Sequence, residues 1–144
     1  MEFQPEIVVD SFYRRTVLTV ECIASTDESA EEAVYLRDTL LPEDIEIDDC
    51  FFILARISVI NLWTPGSTRR ALPTYTASVL PILRQHAHDN IEYLDRTGLR
   101  EAMARWLKSA SDGRLAGTSE VERMLVDSGL DAKLRGGYVR NCGL

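Results

Sequence analysis

Two β-branched runs, Ile7-Val8-Val9 and Thr16-Val17-Leu18-Thr19-Val20, open the chain. By propensity they are strands. Val9, Phe12 or Tyr13, Val17 and Val20 also recur at helical spacing, behind a Pro5 suited to a first helical turn. Both readings stay open, and the choice decides the fold class. From Ser25 onward the pattern is helical. Ser25-Thr26-Asp27-Glu28 and Ser29-Ala30-Glu31-Glu32 both fit the S-x-x-E capping box, and Ala33, Leu36, Arg37 and Leu40 share a face until Pro42 stops the run. The segment Cys50–Trp63, apolar on nearly every side, is expected as a buried helix. Thr64-Pro65-Gly66-Ser67 is a turn. Thr68 to His86 is expected as an apolar helix, kinked or split at Pro81.

Leu99, Met103, Trp106 or Leu107, and Ala110 form the cleanest amphipathic stripe, with Thr97 as its expected cap. Ser119-Glu120-Val121-Glu122 starts a short helix that Gly129 ends, and Asp131–Arg135 forms one more turn before Gly136-Gly137. With a helical N-terminus this makes six to eight helices. No internal repeat or linker divides them, so residues 1–144 are expected to form one domain.

The chain has 144 residues, 45% hydrophobic and 27% charged, the balance of a globular protein. Its net charge of −7 argues against nucleic acid as a partner, because phosphate binding needs a basic surface. Cys22, Cys50 and Cys142 are odd in number and widely spaced, as expected of reduced thiols in the cytoplasm. No apolar run reaches membrane-spanning length, and neither a signal peptide nor a C-terminal anchor is expected.

Catalytic patterns are sparse. His86 and His88, at i, i+2, point to different sides of a helix. Glu43, Asp44, Glu46, Asp48 and Asp49 lack the spacing and central glycine of a calcium loop. No phosphate-binding glycine loop occurs. These features imply no metal, no cofactor and no enzyme. What remains is the junction Pro65-Gly66-Ser67-Thr68-Arg69-Arg70, whose arginines are poorly placed for a helix dipole unless an anion pairs with them. A bidentate arginine beside an apolar groove suits a partner's carboxylate.

Three stretches resemble the Bcl-2 family, above all its shortened virus-encoded members. Leu62-Trp63-Thr64-Pro65-Gly66-Ser67-Thr68-Arg69-Arg70-Ala71-Leu72 is similar to the first homology motif, in which Asn-Trp-Gly-Arg opens the central helix. Here Ser67-Thr68-Arg69-Arg70 stands in its place, without the tryptophan and glycine. Leu99–Leu107 resembles the family's sixth helix. Leu125–Ala132 resembles a degraded second motif that lacks its tryptophan, and Glu6-Ile7-Val8-Val9 is similar to the start of the first helix.

The resemblance implies an all-α, Bcl-2-like helical bundle around a buried central hairpin, about Thr68–His86 and Gly98–Ala110. It implies an inhibitor of apoptosis, virus-encoded and active in the host cytoplasm, that sequesters the BH3 helices of pro-death proteins in a hydrophobic groove. By the same resemblance Arg70 pairs with the ligand's aspartate. Arg69, Ser67, Leu62, Asn61 and Ser58 line the groove, and Leu36 and Leu40 join from the second helix. Some members instead block inflammatory signalling through another face, and some form homodimers. The alternative is an α+β fold with an N-terminal strand pair, in an acidic immunity or antitoxin-like protein that neutralises a basic toxin. It draws on the net charge, the Glu43–Asp49 acids and the strand reading of Ile7–Val20.

Overall fold

The computed structural model describes residues 6–41, 50–87, 94–115 and 119–141. The N-terminal segment is a pair of strands, β1 (Ile7–Asp10) and β2 (Thr16–Ile23), joined as an antiparallel hairpin. Helix α1 (Ala30–Leu40) crosses over to β3 (Phe51–Arg56), which lies parallel to β2. β4 (Val59–Trp63) and β5 (Tyr75–Ser78) follow as antiparallel neighbours. Among the described residues, α2 (Leu80–His86), α3 (Arg96–Ser111), α4 (Glu120–Asp127) and α5 (Leu130–Leu134) come next. β6 (Tyr138–Asn141) returns to pair with β1, closing a mixed sheet of order β5-β4-β3-β2-β1-β6.

This is an α+β fold, about 40% helix and 25% strand among the described residues, and the expected all-α bundle is not formed. The expected N-terminal helix is the β1–β2 hairpin. The expected buried helix over Cys50–Trp63 is the β3–β4 hairpin, turned at Ile57-Ser58. These two strands lie inside the sheet and are covered on both faces, so every one of their residues is buried. A strand buried on both faces loses the period-2 alternation that would distinguish it from a buried helix. The second expected helix divides as well. Thr68–Thr74 is loop, Tyr75–Ser78 is edge strand, and Pro81 sits in the first turn of α2, where its missing N–H costs nothing. Among the described residues no helix spans Thr68–His86, so the expected central hairpin of Thr68–His86 and Gly98–Ala110 is not formed.

Alternation along the strands builds two cores. Ile7, Val9, Leu18, Val20, Cys22, Ile53, Ile60 and Leu62 face one way and pack on Leu99, Met103, Trp106 and Leu107 of α3, with α2, α4 and α5 beside it. Phe52, Leu54 and Trp63 face the other way, under Ala33 and Leu41 of α1 and its C-cap. The local capping signals decide where helices start. Ser29 Oγ accepts from Glu32 N–H at 3.2 Å, and Ser119 Oγ accepts from Glu122 N–H at 3.2 Å. α3 is capped by Asp95 in place of Thr97, its carboxylate accepting from Gly98 N–H at 2.8 Å. Thr64-Pro65-Gly66-Ser67 is the expected turn, with Gly66 at φ +87°. A Cβ on Gly137 would collide with the Asp10 carbonyl oxygen, which is why the approach from α5 into β6 requires glycine. Among the described residues no helix is long and apolar enough to cross a membrane.

Candidate functional site

The residues expected to form a BH3-binding groove do not share a surface. Leu62 is fully buried in the core under α3, while Asn61, its neighbour on β4, points to the opposite face of the sheet. Asn61 there accepts from Arg56 Nη2 at 2.8 Å and donates to Thr76 Oγ1 at 3.0 Å. Ser58 sits at the β3–β4 turn, its hydroxyl buried. Leu36 and Leu40 of α1 pack half-buried on the smaller core. Ser67 and Arg69 fasten the β4–β5 loop onto α1. Ser67 Oγ donates to Thr64 O at 2.7 Å, and Arg69 donates to the Asp38 and Leu41 carbonyls at 3.0 and 2.9 Å, capping the helix C-terminus. Arg70 is exposed at φ +65° and held by its backbone N–H on Asp38 Oδ2 at 2.8 Å. Of the two arginines, Arg69 holds the loop to α1 through its side chain, whereas Arg70 does so through its backbone alone.

Arg37 completes that fastening. It is 1% exposed, donates to the Thr68 and Ser67 carbonyls at 3.0 Å each, and lies over the Trp63 ring at 5.2 Å. Arg56, also fully buried, donates to Ser29 O at 3.1 Å beneath the start of α1, with Asp27 at 3.7 Å. Burial pushes both guanidinium groups below their ordinary pKa. The acids at the start of α1 thus serve the fold, because the charges of Asp27, Glu32 and Glu28 compensate Arg56.

A second buried cluster joins β1, β2 and α3. One step beyond the Ile7–Val20 pair, Glu6 and Glu21 stand opposite each other, 5% and 4% exposed. Glu6 has the partners. It accepts from Cys22 N–H at 2.7 Å and pairs with Arg96 at 2.7 Å, with Arg100 at 4.0 Å. Burial, then the Glu6 charge, pushes the Glu21 carboxyl up to about 7, against a backbone hydrogen bond from Glu6 and the Arg96 charge. Burial therefore favours the neutral form of Glu21 over the ionised one. Cys22 is buried among them with its thiol pushed well up, so it is a poor nucleophile.

The solvent-facing feature lies at the other end of β2. The hairpin loop Ser11–Arg15 turns with Arg14 N–H on Ser11 O at 2.8 Å and Ser11 N–H on Arg15 O at 2.7 Å. Arg14 sits at φ +65°, where glycine or asparagine is usual. Its guanidinium lies over the Tyr138 ring at 4.6 Å. The turn holds Phe12 and Tyr13 outward, 63% and 82% exposed, in an edge-to-face pair with centroids 5.4 Å apart. Beside them a cavity of about 1120 Å³ opens between the loop, Cys50 at the entry to β3, and Lys133 and Arg135 of the α5 region.

Sequence reasoning misses this site because the spacing of Phe12 and Tyr13 also fits a helical stripe. Read as a hairpin, two aromatics between two β-branched runs fall at a loop tip. The Glu43–Asp49 acids, Pro42, His88 and Cys142 lie outside the described residues. Among the described residues no three His, Cys, Asp or Glu side chains converge as metal ligands.

The strain at Arg14 is testable. Arg14→Gly and Arg14→Ala both remove the contact with Tyr138, but only glycine relieves the positive φ. The glycine variant is expected to be about 1 kcal/mol more stable than the alanine variant in urea unfolding. Equal stabilities would mean that the turn stores no strain.

No protein-family model, no curated protein and no solved structure matches the chain.

Proposed function

We propose that the chain is a binding protein, not an enzyme, and that it docks a partner protein through the Phe12–Tyr13 hairpin tip. The observation that carries this reading is an outward aromatic pair, backed by a strained turn and set against a cavity edged with cations. Apolar rings of this size at such exposure cost solubility unless something covers them. Aromatic side chains and arginine together are the composition of interface hot spots, and a pair already fixed by its turn loses little entropy on binding. A photoreactive phenylalanine analogue in place of Tyr13 is expected to give one discrete adduct in cells of the source organism. Phe12→Ala in the same chain is expected to reduce that adduct at least tenfold. A diffuse background that ignores Phe12 would contradict the reading.

A second reading rests on the opposite end of the parallel strands. Glu28 and Glu31 are exposed at the start of α1, and Tyr35, one turn further, is 64% exposed. With a net charge of −7, this face suits an immunity or antitoxin-like protein that captures a basic toxin. Part of its acidity already serves Arg56, which makes it the weaker carrier.

A further inference from the structure

Resting on the reading of the hairpin tip as a docking surface, we propose that its occupant is an acidic segment of a partner protein. The segment sets carboxylates on Arg15 and Lys133 and an apolar side chain on the Phe12–Tyr13 pair. Charge segregation carries the assignment. Although the chain is strongly acidic, Arg14, Arg15, Lys133, Arg135 and Arg140 gather at this end. Three of them are engaged within the fold. Arg140 pairs with Asp10 at 3.1 Å, Arg135 with Asp131 at 3.1 Å, and Arg14 covers Tyr138. Arg15 and Lys133 are exposed, line the cavity, and have no carboxylate against them among the described residues.

An anion from outside would complete the set, and the cavity is larger than a single ion needs. At about 1120 Å³, and bordered by both Phe12 and Tyr13, it has room and apolar surface for a stretch of peptide that an isolated anion would not use. The net charge of −7 repels a long polyanion from a distance, whereas a short acidic segment meets only the local cations. The exposed aromatics add an apolar requirement that a plain charge cluster lacks.

The test is calorimetric titration of the full chain with a short peptide of glutamate and phenylalanine. A glutamine-substituted peptide and a short thymidine single strand serve as competitors. The acidic peptide is expected to bind, and the combined Arg15→Glu and Lys133→Glu change to weaken it roughly tenfold or more. Arg84→Glu on α2 is expected to leave binding unchanged. Both substituted positions are exposed, so an unaltered urea midpoint shows that the fold is intact.

Equal binding to the glutamine peptide, or no effect of the charge reversals, overturns the assignment. Tighter binding of the thymidine strand overturns it in favour of nucleic acid. Self-association abolished by the same reversals overturns it in favour of a second copy. If no peptide binds while the Tyr13 adduct persists, the acidic chemistry is wrong and the docking surface stands. If the adduct is absent too, the docking reading itself falls.

Discussion

Between pH 5 and pH 8.5 the protein is expected to lose about 3 kcal/mol of stability through one side chain, Glu21. Its carboxyl is raised from 4.5 to about 7 in the folded chain, chiefly by burial and then by the Glu6 charge opposite. A raised folded pKa means that the native state favours the protonated form. The contribution is therefore complete below pH 4.5 and disappears as pH rises through 7, each pH step of one between those values removing about 1.4 kcal/mol. The groups facing Glu21 account for this. Glu6 pairs with Arg96 at 2.7 Å and lies 4.0 Å from Arg100, and its charge opposite Glu21 makes ionisation of the buried Glu21 carboxyl costly at this step of the hairpin. Other groups act in the same range. Burial lowers His86, with Arg105 beside it, and that contribution runs the other way: it is lost as pH falls through the ordinary histidine value. The informative quantity is the difference between the wild type and Glu21→Gln, followed by urea unfolding across the range. The variant is expected to be the more stable at pH 8.5, and the difference to vanish toward pH 5. A difference independent of pH would show that Glu21 does not carry the proton.

Removal of the Arg37 guanidinium is expected to be at least as costly. Arg37→Ala takes two charged hydrogen bonds from the Ser67 and Thr68 carbonyls, uncovers the Trp63 ring and leaves a void under α1. Loss of one buried charged partner costs about 3–5 kcal/mol, and the unfavourable burial of Arg37 itself keeps the net effect in that range. Arg37→Met refills the space without holding the loop, so it is expected to recover only about half of the loss. Hydrogen exchange should quicken at Ala71 N–H, which donates to Thr68 O, in both variants. A loss under about 1 kcal/mol in the alanine variant would mean that the β4–β5 loop is held by Arg69 and Asp38 alone.

The elements legible in the chain are those with local causes. The Ser29–Glu32 and Ser119–Glu122 capping pairs place the starts of α1 and α4, and the Leu99–Ala110 stripe places α3. The centre of the sheet is not legible. β3 and β4 are apolar on both faces, and their turn at Ile57-Ser58 contains no glycine, proline or asparagine. β6, four residues long, is placed by long-range contacts, above all its pairing with β1, 130 positions away for Asp10 and Arg140. The adjacent arginines Arg69 and Arg70 stand out in the sequence at an expected helix start, but Arg69 and its neighbour in space, Arg37, close a loop on a helix. The resemblance to a helical family makes those arginines ligand contacts and, with the Glu6–Val9 stretch, steers the N-terminus to helix. The β-branched runs alone leave strands open, and the hairpin tip follows from them.

The claim that a partner sits on the hairpin tip is tested most directly by placing the photoreactive group at position 13 in one chain and at position 35 in another. Adduct formation from position 13, lost with Phe12→Ala and scarce from position 35, is the expected result. A dominant adduct from position 35, unchanged by Phe12→Ala, would contradict it and move the interface to the acidic face of α1.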